Sequence, residues 1–267
     1  MLNCLRTILI LISVAAITGS TVPAADTAAF HFARQRYVSD ETSLYPNEIY
    51  YRNWTTDYSD FADTSMEMHL ESGLRRLTRI DVGKSVVLDF QDAGSVVFEY
   101  PLLYTVEPEQ MVLRVTESAL IREWLRRGGF WILDDFHGCE EMQYVLGQLR
   151  LVLAADFLAQ DFKMLTAEHE LFHTVFDLPK IKQVPWEGLV TSCPDDADCD
   201  RTWEAEPPCH KSEIILWEKS GYGKILLLHN NDTGDGLEHA DLPAYPAEYT
   251  IYAYKFMVNA IVYALTH

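Results

Sequence analysis

Positive charge is scarce in this chain. Lys and Arg number 21 against 40 Asp and Glu, a formal net charge of −19. A surface of that sign repels phosphate backbones and anionic headgroups, which excludes nucleic acid and an anionic lipid surface as partners. Long apolar runs are also lacking. The amino-terminal one, Ile8 to Ile17, is far short of the roughly 20 residues a bilayer requires, so no permanent membrane span is expected. Internal repeats and low-complexity tracts are absent, which sets aside repeat arrays and biased tails. Cysteine is sparse, at five in 267 residues.

What is present at the start is a short basic segment with Arg6, the apolar run, and small residues ending Val22-Pro23-Ala24. That order predicts a secretory signal peptide over residues 1–24, cleaved after Ala24. Cys4 precedes the apolar run and so is no lipid-attachment cysteine. Cleavage removes one charge, Arg6, leaving −19 − 1 = −20. The expected product is a periplasmic or secreted protein, with residues 25–267 forming one domain.

Four cysteines then remain: Cys139, Cys193, Cys199 and Cys209. In an oxidising compartment an even number favours disulfides. Three lie in a loop insertion over residues 192–210, where Cys193–Cys199 and Cys199–Cys209 are the local pairings and Cys139 is available to the remaining partner. The same thiols with His210 could ligate a metal, but their spacing is irregular for a zinc site. The Asp196-x-Asp198-x-Asp200 alternation lacks the glycine and terminal glutamate of a calcium loop and reads as a solvated acidic loop.

The chain is organised around Thr116 to Gly138. Leu120, Ile121, Trp124 and Leu125 share one helical face, with Thr116 as cap and Gly128 as the left-handed residue that ends the helix. Phe130 to Leu133 is a short apolar run of the kind a strand covered on both faces shows. Asp134, Asp135 and His137 follow at its carboxyl end, the edge where ligands sit in open α/β sheets. A second buried strand, Lys224 to Leu228, ends in another polar cluster with His229, Asn231, Asp232, Asp235, Glu238 and His239. Other predicted strands are Phe30 to Ala33, running into a polar end at Arg34 to Arg36, then Val86 to Phe90, Tyr100 to Tyr104 and Ile214 to Glu218. Helices are predicted over Met66 to Arg79, Cys139 to Leu153 and from Pro246 to about Thr266. Tyr45 to Tyr58 reads as an aromatic loop covering the sheet edge. His169 to Phe176 reads as a short amphipathic turn of helix with Leu171, Phe172 and Phe176 inward; its first five residues spell H-E-x-x-H, but the run ends at Asp177-Leu178-Pro179 and has no second zinc-protease signature.

The ordered set FHFARQRY (from Phe30), YPLLY, LIREWLRRGGFWILDDFHG, HELFHTVFDL, HNNDTGDGLEH and NAIVYALTH (to His267) resembles the bacterial family catalogued as domain of unknown function four-one-five-nine. The resemblance implies an α/β fold: a flavodoxin-like three-layer sandwich with a mostly parallel central sheet, similar to class I glutamine amidotransferases. Members of that family usually carry His-Pro where His169-Glu170 stands, so the resemblance implies that Glu170 is a local substitution and not a protease base. They usually have tryptophan where Leu237 stands. The amidotransferase nucleophile elbow is missing. Cys139 is the nearest imitation, after the wrong strand and without the glycine beyond it.

Three functional readings follow. The first is an envelope binding module whose crevice is made by Asp134, Asp135, His137, His229, Asn231, Asp232, Asp235 and Glu238, taking an envelope protein or a small polar ligand; no cofactor and no metal ligand set is assigned to it. The second is a metal-assisted hydrolase using the same Asp/His cluster, with His169, His173 or His229 as ligands or acid. The third is a structural protein in which both clusters merely cap helices and tie turns. The first two require the strand ending in the aspartates and the strand ending in His229 to be parallel neighbours.

Overall fold

The computed structural model of the protein describes residues 30–58, 65–92, 94–191, 201–220 and 223–267. The expected signal peptide, Cys193, Cys199 and the Asp196/Asp198/Asp200 alternation lie outside them. Seven strands form one mixed sheet in the order β2-β1-β3-β4-β7-β6-β5. They are β1 (Ala33–Arg36), β2 (Val86–Asp89), β3 (Leu102–Val106), β4 (Phe130–Phe136), β5 (Phe162–Met164), β6 (Glu213–Glu218) and β7 (Lys224–His229). The first five in that spatial order run parallel; β6 is antiparallel to β7, and β5 to β6. The required adjacency holds: β4 and β7 pair in parallel, Leu133 beside Leu227 and Asp134 beside Leu228.

The helices are α1 (Met66–Leu77), α2 (Val115–Arg126), α3 (Gly138–Leu153), α4 (Glu187–Thr191), α5 (Thr233–Glu238) and α6 (Ala247–Thr266). The alternation of β4 assigns them to faces. Phe130 and Ile132 enter one core with Leu70 and Leu74 of α1 and Phe256 and Ile261 of α6. Trp131 and Leu133 enter the other with Ile121 and Trp124 of α2 and Leu149 of α3. Each such side chain contributes about 1.5–3 kcal/mol of burial, so covering both faces dominates the sheet's stability. No helix among the described residues is long and apolar enough to cross a membrane.

Local chemistry explains where elements begin and end. Ser65 caps α1, its side chain accepting from the Met68 N–H. The α2 cap is Arg114 and not the expected Thr116, because Glu117 reaches back to accept the Arg114 backbone N–H at 2.8 Å. Gly128 ends α2 at φ +96, as predicted.

Two sequence expectations are corrected. The first strand is Ala33–Arg36, with Phe30 making only an isolated bridge to Val82. Its polar residues enter the sheet because they find partners: Arg34 is wholly buried and pairs with Glu67. The HELFH run is a single 3₁₀ turn, Glu170–His173, in which the His169 ring accepts the Leu171 N–H and caps the turn. His169 and His173 therefore lack the α-helical face that a zinc pair at that spacing requires.

Candidate functional site

The site begins with a defect in β4. Pairing with β7 is regular through Asp134 beside Leu228 and resumes with Phe136 beside His229, leaving Asp135 as an extra residue in the ladder. Asp135 accordingly adopts a left-handed backbone, φ +58. The bulge returns Phe136 to the core face that Leu133 occupies and frees Asp135 to point beyond the sheet edge. Three further non-glycine residues with positive φ cluster at this edge: Asp57, Glu107 after β3, and Asn230 after β7. Strained backbone of this kind persists only where surroundings hold it.

For Asp57 the holder is Arg34. Its guanidinium donates to the carbonyls of Trp54 (3.2 Å) and Thr56 (2.8 Å), pairs with Glu67, and lies over the Tyr104 ring at 5.2 Å. The loop expected to be only an aromatic cover is thus strapped to the sheet, with Asp57 delivered over α5. A Cβ on Gly234 would lie 2.0 Å from Asp57 Oδ2, so glycine there is what lets the carboxylate approach.

A cavity of about 500 Å³ opens at this edge. Its wall carries Asp57, Glu107, Asp135, Glu204, Asp232, Asp235 and Glu238, with Arg52 and His239 as the basic groups. Arg52 is engaged by three glutamates, donating to Glu107 (2.8 Å), Glu109 (2.9 Å) and Glu141 (3.2 Å). Even so, burial and the charge of Glu141 push the Glu109 carboxyl up to about 8. Burial, with neighbouring carboxylates adding, holds Asp57 and Asp232 well above the usual carboxylate range. Burial alone would lower His137, but Glu204 and Asp135 push it up to about 9.

The eight residues predicted from sequence divide in two. Asp135, Asp232, Asp235 and Glu238 line this one cavity. His137 lines an adjoining one and lies between Asp135 Oδ1 (2.9 Å) and Glu204 Oε1 (3.2 Å). The other three are tied into the scaffold. Asp134 accepts from the Tyr104 hydroxyl at 2.9 Å and from the Gly234 N–H at 3.1 Å. The His229 ring contacts the Gly138 carbonyl at 2.8 Å and Glu213 at 3.2 Å. Asn231 accepts from Val184 N–H at 3.1 Å and donates to Ser212 Oγ at 2.6 Å.

Sequence reasoning passed over Asp57, Arg52, Glu107 and Glu204. Glu107 was findable, since Glu107 and Glu109 follow β3 just as the aspartates follow β4. Arg52 and Asp57 were hidden in a loop whose letters advertise aromatics, and Glu204 arrives through the loop pinned by the Cys139–Cys209 disulfide. That bridge also removes Cys139 as a nucleophile.

Three sets of side chains bring ligand atoms within 4.8 Å of one another: Asp57, Asp135 and Asp232; Asp135, His137 and Glu204; Asp235, Glu238 and His239. The wall can thus hold cations and hydroxyl groups, and it can move protons near neutral pH. No curated protein matches this chain. The residues that line the cavity, from Tyr51 to His239, fall within residues 51–265, which match the family described as Domain of unknown function (DUF4159), and the chain belongs to that family.

Proposed function

We propose that the protein is an exported binding module that takes a small cationic or hydroxyl-rich polar ligand, free or presented by an envelope protein, in the acidic cavity at the carboxyl edge of its sheet. The fold is read as flavodoxin-like and similar to class I glutamine amidotransferases without their nucleophile. Its parallel order β2-β1-β3-β4-β7 supports this, as does the reversal of winding between β1 and β3, beside which ligands bind in such sheets. Export is supported by the Cys139–Cys209 bridge, a bond of oxidising compartments. The observation that carries the reading is convergence: carboxylates from the Asp57 loop, β4, α5 and the Glu204 loop meet on one cavity. Calorimetric titration with polyamines and amino sugars, with and without chelator, tests it. Saturable binding weakened roughly tenfold or more by Asp235→Asn is expected, a loss of about 1.4 kcal/mol. Absence of binding across both series, in either condition, overturns it.

One observation favours the hydrolase as a second reading. His137 Nε2 lies 2.9 Å from Asp135 Oδ1, the contact a general acid–base pair needs. Turnover of ester or glycoside model substrates, abolished by Asp135→Asn, would replace the binding module with that enzyme.

A further inference from the structure

We infer that Asp57, Asp135 and Asp232 form a site for one hard divalent cation, calcium by preference, on the wall of the acidic cavity. The inference rests on reading that cavity as a binding site and names what these three carboxylates hold there. The three carboxylates come from three separate segments: the loop after β1, the bulge of β4, and the turn after β7. One oxygen from each lies within 4.8 Å of the others, and the residues are only 7%, 6% and 3% exposed. Three carboxylates buried this close together either hold protons or take a cation among them.

An independent observation points the same way. Asp57 Oδ2 is buried and has no hydrogen-bond partner among the described residues, although its carboxylate faces the other two. The nearby guanidiniums are committed elsewhere, Arg34 to Glu67 and Arg52 to Glu107, Glu109 and Glu141. Asp232 Oδ1 accepts the Asp235 N–H at 2.8 Å, and Asp135 Oδ1 contacts His137 at 2.9 Å, so each has a second oxygen to offer. The cluster is also held in place before any ligand arrives, by the Arg34 strap, the Gly234 approach and the β4 bulge.

The donor set selects the cation. All three ligands are carboxylate oxygens, which suit calcium or magnesium, whereas zinc favours imidazole and thiolate. Magnesium sheds its water reluctantly and usually takes only one or two carboxylates, whereas calcium accepts several carboxylate oxygens in a flexible shell, so three protein carboxylates favour calcium. The cavity of about 500 Å³ leaves room for water or a ligand hydroxyl in the remaining coordination positions.

The test uses the full chain freed of metal by chelator and then titrated calorimetrically with calcium chloride, magnesium chloride or zinc chloride alone. Expected are one calcium per chain, weaker magnesium binding, a calcium-dependent rise in melting temperature, and roughly tenfold or greater loss of calcium affinity in Asp57→Asn. Should Asp57→Asn fail to fold by circular dichroism, Asp232→Asn, whose amide oxygen can still cap α5, reads the same loss. Two results overturn the inference: no saturable calcium binding, or stoichiometric zinc binding unaffected by Asp57→Asn and abolished by His137→Ala, which would place the ion at Asp135, His137 and Glu204. Because the probe is the metal alone, either result leaves the binding of polyamines or amino sugars separately measurable.

Discussion

Asp134 and Asp135 are neighbours in the chain, yet they belong to different parts of the molecule. Asp134 keeps the pleat of β4, turns toward the face carrying Tyr104, and accepts the Tyr104 hydroxyl and the Gly234 N–H that opens α5. Asp135 is lifted out of the pleat by the bulge, lines the cavity, and touches a histidine and other carboxylates. The same side chain is mortar in one place and ligand-facing in the next. The difference lies in what each faces: Asp134 is bonded to a hydroxyl and a backbone N–H within the fold, whereas Asp135 lines the cavity beside other carboxylates. Removing a member of the first set should cost stability, while changing a member of the second should alter binding.

The largest effect that would sharpen this division is expected for Asp134→Ala. It leaves the buried Tyr104 hydroxyl and the first turn of α5 without their acceptor, at about 1–3 kcal/mol for each unsatisfied donor. Urea unfolding should therefore show a loss of about 2–5 kcal/mol. A loss below 1 kcal/mol would mean that Asp134 is not scaffold, and the division would fail at its first member.

Gly234→Ala comes next, since it probes the boundary between the two sets. The new Cβ would lie 2.0 Å from Asp57 Oδ2, and displacing a strapped loop should cost about 1–3 kcal/mol. Shortening the neighbour in the same chain, Asp57→Gly, should restore much of that loss in a double-mutant cycle. Additive single-mutant effects would show that the two residues do not meet.

Much of this could be read from the letters. The apolar runs of β4 and β7 and the polar clusters at their ends follow from composition and length, because a strand covered on both faces has little freedom in sequence; their parallel adjacency is a requirement that only the structure meets. What could not be read is the bulge. Nothing in Leu133-Asp134-Asp135-Phe136 says which aspartate leaves the pleat; that depends on Phe136 filling the core against Val145 and its neighbours. Nor does the run Tyr50-Tyr51-Arg52 announce that its aromatics stay largely exposed while its arginine clamps three glutamates. Arg34 misled for the same reason. Its charge suggests a strand end, and only the distant Glu67 makes its burial tolerable.

A pH series tests whether the buried carboxyls beside the cavity are held protonated. The Glu109 carboxyl, with an ordinary value near 4.5, sits at about 8 in the folded chain, so the folded state holds a proton that the unfolded state has released. Its contribution is fully present below about pH 4.5 and is lost as pH rises toward 8. In chelator the melting temperature should therefore fall between pH 5 and 8, and Glu109→Gln should flatten that fall. A melting temperature that rose over the same range would mean that the buried carboxylates are ionised and paired in the folded state.

The smallest effect is expected where the letters are most suggestive. His169-Glu170-Leu171-Phe172-His173 matches a zinc-protease string, but His169 caps a 3₁₀ turn and His173 contacts the exposed Asp177 at 2.6 Å. An exposed pair of this kind contributes about 0–1 kcal/mol. His173→Ala should shift stability by less than about 0.5 kcal/mol, as surface substitutions usually do, and should leave metal content unchanged by elemental analysis. Loss of a bound metal on that single change would move the functional centre to the opposite reading, with the acidic cavity as scaffold and the histidine turn as site.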